Sequence, residues 1–124
     1  MLDGGEVFSF GAFKAPRQVK ALSEKYGISF ESIDVFTMHQ ANKMMNEMIR
    51  KKLKFPIEKT PYSLDEFGNT SSASIPLTLV AREREALKNQ RLNHIACGFG
   101  VGLSWASVWF ETNKIKVPKL IEHD

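Results

Sequence analysis

The sequence predicts an α/β fold, a mixed sheet ending in an antiparallel hairpin, on three observations. Apolar runs of strand length, notably Ile33 to Met38 and Leu92 to Gly98, alternate with amphipathic helical patterns. The run Val35-Phe36-Thr37-Met38 has almost no polar interruption, which suits a parallel strand covered on both faces. The chain closes on two neighbouring strand-like segments, Leu92 to Gly98 and Leu103 to Glu111, joined by a tight glycine-rich loop from Gly98 to Gly102.

Taken in order, Val7-Phe8-Ser9-Phe10 alternates and reads as a short strand or an irregular lead. Pro16 then sits where a first helical turn tolerates it, Val19, Leu22 and Tyr26 follow at helical spacing, and Gly27 stops the pattern, giving a helix over Pro16 to Tyr26. Ser29 to Ser32 is a turn into the strand Ile33 to Met38. From Ala41 to Leu53 one stripe carries Ala41, Met45, Met48, Ile49 and Leu53, while Lys43, Glu47, Arg50 and Lys54 face away. Lys51 and Lys52 join Arg50 and Lys54 in a basic end that suits the negative pole of the helix, and Pro56 marks the stop. Thr60 to Leu64 reads as a further strand. Ala73, Leu77, Val80, Ala81 and Leu87 then trace a buried helical stripe to about Lys88, with Pro76 in its first turn. The last strand carries Trp105, Val108, Trp109 and Phe110 and is expected to be substantially covered.

The chain has 124 residues, enough for one domain, with 43% hydrophobic and 25% charged residues, so disorder is excluded. No apolar run nears the roughly 20 residues of a membrane span, and Met1 to Glu6 lacks the pattern of a signal peptide, so a cytoplasmic protein is expected. One cysteine, Cys97, allows no intrachain disulfide and leaves no structural zinc site; no metal or cofactor is expected. A net charge of +3 is too mild to argue for nucleic acid, but leaves room for an acidic protein partner or a phosphate-bearing ligand.

The chemistry gathers at two places where an apolar segment gives way to a helix. One carries His39, the other Asn69. Alone, His39 reads as a satisfied core histidine. Beside Asn69 it has a second use, because a neutral imidazole and a carboxamide each offer an N–H donor, and such a pair suits an enolate growing on a thioester oxygen. Cys97 lies within a strand and reads as a buried, inert thiol; His94 and His123 sit in no motif and read as solvated.

Three motifs in register carry a resemblance: His39-Gln40-Ala41-Asn42, then Gly68-Asn69-Thr70-Ser71-Ser72-Ala73-Ser74, then Gly98-Phe99-Gly100-Val101-Gly102-Leu103-Ser104-Trp105. Together, over Asp3 to Glu111, they resemble the C-terminal half of a 3-oxoacyl-(acyl-carrier-protein) synthase III, of the thiolase superfamily. The resemblance implies a domain over residues 1–111 followed by a tail over 112–124. It also implies a thiolase-like half of an αβαβα layered fold, with one strand of that half upstream of Met1. The function implied is decarboxylative Claisen condensation of an acyl-thioester primer with malonyl-acyl carrier protein, in fatty-acid or related biosynthesis. His39 and Asn69 would complete a Cys-His-Asn site whose cysteine belongs to the missing N-terminal half, with no cofactor beyond coenzyme A or phosphopantetheine thioesters as substrates. The backbone at Gly100 and Val101 would form the other oxyanion hole, although Val101 interrupts what is often a glycine run. Asn42 and Phe99 would lie against the substrate or pantetheine arm, and Asn42 reads equally as a helix cap. Lys43, Arg50, Lys51 and Lys52 would dock the acyl carrier protein. Met44 stands where family members often carry an arginine, which puts carrier specificity in question. Further partners implied are acyl-coenzyme A and a second copy in a homodimer, without nucleic acid or membrane. The alternatives are a non-catalytic acyl-carrier or acyl-ligand binding module and a thiolase-fold synthase using coenzyme A thioesters.

Overall fold

A computed structural model of the chain describes residues 4–100 and 104–122, with side chains from Ala12 onward. The elements are α1 (Gly4–Tyr26), β1 (Val35–Met38), α2 (Lys43–Leu53), a short α3 (Leu64–Phe67), α4 (Ser74–Asn89), β2 (Arg91–Gly100) and β3 (Ser104–Asn113). They form a three-stranded sheet of order β1-β2-β3. β1 pairs parallel with β2 from Val35 opposite His94 to Met38 opposite Cys97, and β2 pairs antiparallel with β3 from Arg91 opposite Asn113 to Gly100 opposite Ser104. The expected α/β class and terminal hairpin are both present. Because β1 and β2 are direct neighbours, a further strand can join only at the outer edge of β1 or of β3.

All of β1 is buried, as its apolar run predicts. Its Phe36 and Met38 join Ile95, Cys97 and Phe99 of β2, Val19 of α1 and Met45, Ile49 and Leu53 of α2 in one core, with Phe55 stacked on Phe36 at 4.5 Å between centroids. Val35, Leu87 and Leu92 form a second cluster that Val117 completes. Thr112 and Asn113 are the last residues of β3, and the residues after them return to the body. Ile115 N–H donates to the Leu87 carbonyl at 3.0 Å, and Arg84 Nε donates to the Val117 carbonyl at 3.0 Å.

Four local expectations need correction. First, α1 starts at Gly4, so Val7 to Phe10 is helical and Pro16 lies inside the helix. A proline there leaves the carbonyl four residues earlier without its N–H partner. That carbonyl belongs to Ala12, and Lys52 Nζ of α2 donates to it at 3.1 Å while standing 4.0 Å over the Phe13 ring. The proline's cost is thus met by a neighbouring helix. Replacing Lys52 with Met keeps the stem but loses the donor, and is expected to lower stability by about 1 kcal/mol in urea denaturation; an unchanged midpoint would remove the role.

Second, Thr60 to Leu64 is not a strand. Its backbone groups are spent on turns and side chains: Thr60 N–H donates to the Ile57 carbonyl at 3.1 Å and Ser63 N–H to Gln40 Oε1 at 3.0 Å, while Pro61 has no N–H to give a ladder. Third, β3 is largely exposed, with Val108 52% and Trp109 46% accessible, because it is the outer strand of this sheet. The α4 stripe is likewise only half covered; the deeply buried positions of α4 are Ser74, Thr78 and Leu87.

The fourth correction is His94, which is buried at 1% exposure, not solvated. It stacks on Phe110 at 4.5 Å, and its Nε2 lies 2.8 Å from Thr112 Oγ1, whereas Nδ1 has no partner among the described residues. Burial pushes its pKa below the ordinary 6.5, with Asp34 pulling the other way. His39 is shifted in the same direction. The unfolded chain therefore takes up these protons first as pH falls, so stability is full above 6.5 and declines below it toward the depressed folded values. His94→Gln should flatten part of that decline in denaturation midpoints measured across pH. An identical pH profile would show that His94 does not contribute.

Candidate active site

His39 ends β1. Its N–H continues the ladder by donating to the Cys97 carbonyl at 2.9 Å, after which the chain leaves the sheet through Gln40, Ala41 and Asn42 into α2. Buried side chains hold this corner. Asn46 Nδ2 donates to the His39 carbonyl at 2.9 Å, and Asn46 Oδ1 accepts the Ala41 N–H at 3.1 Å. Gln40 Nε2 donates to the Met38 carbonyl at 2.9 Å while its oxygen takes the Ser63 N–H. Asn42 caps α2, its Oδ1 accepting the Met45 N–H at 2.9 Å.

The imidazole is half buried. Its Nδ1 is 2.7 Å from Ser74 Oγ, and Phe99 meets the ring edge-on at 5.4 Å. Burial pushes its pKa below the ordinary value, and a hydrogen bond to the Ser71 backbone partly offsets this. Burial therefore favours the neutral ring, which carries a single N–H.

Asn69 follows Gly68, whose φ of +67° lets the chain turn sharply out of α3. It sits in a loop between α3 and α4, and not at a strand end. Asn69 Oδ1 accepts the Ser71 N–H at 2.9 Å, with Ser71 held at a φ of +59°. With its oxygen occupied, the group Asn69 has left to offer is its NH₂. His39, Asn69, Ser71, Ser74, Gly98, Phe99 and Gly100 line one open cleft of about 530 Å³, which Ser104 and Trp105 of β3 also line. The His39 imidazole and the Asn69 carboxamide thus border the same cleft.

Gly98 and Gly100 belong to β2 and neither has a positive φ, so these two are strand residues and not the turn glycines that the sequence suggests. Val101, like Gly102 and Leu103, lies outside the described residues. Cys97 is fully buried, and burial pushes its thiol up to about 11, which leaves no thiolate at neutral pH. Among the described residues, no three His, Cys, Asp or Glu side chains gather as metal ligands, and no helix is long and apolar enough to cross a membrane.

The basic residues of α2 do not act alike. Arg50 is turned inward: its Nε donates to Glu47 Oε2 at 2.6 Å and its Nη1 to the Phe55 carbonyl at 2.9 Å. Arg50 and the Tyr62 hydroxyl, which donates to Glu47 at 2.8 Å, hold the Glu47 carboxyl down at about 2. Lys43 stands 4.0 Å over the Tyr62 ring, beside a second cleft of about 690 Å³ bordered by Asn42, Leu64 and Asp65. Lys51 is exposed, and Lys52 is tied to α1.

Ser74, Asn46 and Gln40 are the supporting residues that motif reading did not single out. Asn46 had a signal: it lies three and seven residues before Ile49 and Leu53, a polar residue on the apolar stripe.

A half-sheet flanked by helices, with a His and an Asn lining one cleft, is a thiolase-like C-terminal half. The family model "3-Oxoacyl-[acyl-carrier-protein (ACP)] synthase III C terminal" matches residues 23–112, and the chain belongs to that family. It is 38% identical over 112 residues to the beta-ketoacyl-[acyl-carrier-protein] synthase III of Trichodesmium erythraeum, covering 90% of this chain and 34% of that protein. It is 36% identical over 111 residues to the Porphyra umbilicalis protein of the same name, covering 86% of this chain and 33% of that one. The crystal structure of a 3-oxoacyl-(acyl-carrier protein) synthase from Burkholderia xenovorans superposes with a TM-score of 0.93 at 37% identity, over 99% of this chain and 35% of that one. The chain therefore spans about a third of the length of the relatives it matches.

Proposed function

We propose that this chain supplies the decarboxylating donors of a condensing enzyme that joins an acyl-thioester primer to malonyl-acyl carrier protein in fatty-acid or related biosynthesis. The observation that supports this is the common cleft lined by His39 and Asn69, with His39 Nδ1 2.7 Å from Ser74 Oγ and Asn69 Oδ1 accepting the Ser71 N–H at 2.9 Å. In the proposed step the bond between the malonyl α-carbon and its carboxylate breaks, carbon dioxide leaves, and the electron pair becomes an enolate. His39 and Asn69 stabilise its oxygen. The enolate carbon then attacks an acyl group held on a cysteine, forming the carbon–carbon bond and releasing the thiolate. Cys97 is too buried for that task, so the cysteine belongs to an upstream part, as does most of the wall that selects the primer. The chain's share of the other oxyanion hole is the backbone at Gly100 and Val101. Asn42, although committed through its oxygen to capping α2, keeps an NH₂ for a pantetheine arm, and Phe99 flanks His39. No cofactor beyond the thioester carriers is needed. A cytoplasmic homodimer fits the lone thiol and the uncovered faces of β3 and α4.

The test combines this chain with the upstream two-thirds of the Burkholderia relative and follows carbon dioxide and 3-oxoacyl product from malonyl-acyl carrier protein and acyl-coenzyme A. The pair should form product, and this chain alone should form none. Product from this chain alone would overturn the shared site; binding of acylated carrier without any decarboxylation by the pair would favour a non-catalytic module.

For carrier docking, the inward Arg50 leaves Lys43, Lys51 and Lys52 as the proposed surface. Lys51→Glu is the cleanest probe, since Lys52 also supports α1. It should raise KM for malonyl-acyl carrier protein several-fold at low salt, fade at high salt, and leave turnover of a small thioester unchanged. A salt-independent KM equal to the parent's would remove this surface.

A further inference from the structure

We propose that the buried Ser74 hydroxyl donates its proton to His39 Nδ1 and so holds the imidazole in the Nε2–H tautomer, which makes Ser74 a positioning residue for the oxyanion donor. The contact is short, 2.7 Å, and Ser74 is 1% exposed at the first position of α4. Two proton arrangements fit that distance. If the ring nitrogen donated, the Ser74 O–H would need another acceptor, and among the described residues the hydroxyl is bonded only to His39. A buried O–H without an acceptor is costly. With the hydroxyl donating, every proton at the contact is used, and the neutral ring carries its single N–H on Nε2.

The backbone that carries this hydroxyl is itself fixed. Thr78 Oγ1 donates to the Ser74 carbonyl at 2.6 Å, one turn along α4, which locks the start of the helix. Since the Thr78 proton is spent there, the 2.7 Å contact between Ser63 Oγ and Thr78 Oγ1 must run from Ser63 to Thr78. Ser63 is in turn bound through its N–H to Gln40, the residue after His39. The chain of bonds therefore leaves the His39 corner through Gln40 and returns to the same ring through Ser74. Phe99, edge-on to the imidazole, restrains the ring plane. Burial favours the neutral ring, and the Ser71 backbone contact only partly offsets it. The catalytic consequence rests on His39 acting as an oxyanion donor, but the tautomer can be measured without turnover.

The measurement is long-range proton–nitrogen NMR on the ¹⁵N-labelled chain at mildly alkaline pH, with His39→Gln used to assign the signals. Where the chain alone gives no dispersed spectrum, the labelled chain is studied in complex with the upstream part of the Burkholderia relative. Expected is a far-downfield, unprotonated Nδ1 and an upfield, protonated Nε2 for His39. Ser74→Thr, which keeps the hydroxyl, should preserve this pattern, and Ser74→Ala should move both nitrogens toward the average of mixed tautomers. A protonated Nδ1 in the parent chain overturns the proposal, as do unchanged nitrogen shifts in Ser74→Ala. If Ser74→Ala does not fold, the parent and Ser74→Thr spectra decide. Absence of decarboxylation in the assembled pair, with the Nε2–H tautomer observed, would instead count against the function proposed for His39.

Discussion

His39→Ala and Asn69→Ala, introduced into this chain assembled with an upstream catalytic part, are each expected to slow malonyl decarboxylation by about a hundred- to a thousand-fold, the usual cost of losing one preorganised oxyanion donor. Acyl transfer onto the upstream cysteine should remain measurable, because neither side chain is assigned to that step. Asn69→Asp is a sharper probe than alanine. It keeps an oxygen for the Ser71 N–H, so the loop's 2.9 Å bond survives, yet it replaces the NH₂ with a second oxygen that repels an enolate. Asn69→Asp should therefore be at least as slow as Asn69→Ala, with the fold intact by circular dichroism. Loss of acyl transfer with decarboxylation preserved would reverse the assignment of the two half-reactions.

Legibility in the sequence followed the range over which each residue's reasons operate. The strand at Val35 to Met38 could be read because burial on both faces leaves a local trace, an unbroken apolar run. His39 and Asn69 stood out because polar groups next to core segments lie within a few residues of the features that position them. Thr60 to Leu64 misled because its residues favour strands, whereas what decides its conformation is Gln40, more than twenty positions away, which takes the Ser63 N–H. Pro16 misled for the same reason: the partner for the exposed Ala12 carbonyl is Lys52, on another helix. Large apolar side chains on β3 predicted coverage, but β3 is the outer strand of this sheet and exposes them. Ser74 closes a serine-rich motif that gives it no role of its own, and its contact with the imidazole exists only once α4 is laid against His39.

Asn46→Ala is expected to cost about 3 kcal/mol of stability and to disorder the His39 corner, although Asn46 touches no substrate. The side chain is fully buried, and its removal orphans two backbone groups at once, the His39 carbonyl and the Ala41 N–H. Each buried group left unmade costs about 1–3 kcal/mol, and the small void left behind adds to it. Asn46→Asp separates the two bonds. Its carboxylate can still accept from Ala41, but it sets an oxygen against the His39 carbonyl, and a buried carboxyl in that position has a raised pKa. Once protonated it becomes a donor again. Stability relative to the parent should therefore recover as pH falls and worsen as pH rises through the raised value, the opposite sense to the histidine contribution. Urea denaturation of parent, Asn46→Ala and Asn46→Asp across pH checks this directly. A constant Asn46→Asp deficit at every pH would mean that the corner is held by packing around Met38 and Met45, and that the Asn46 hydrogen bonds are incidental.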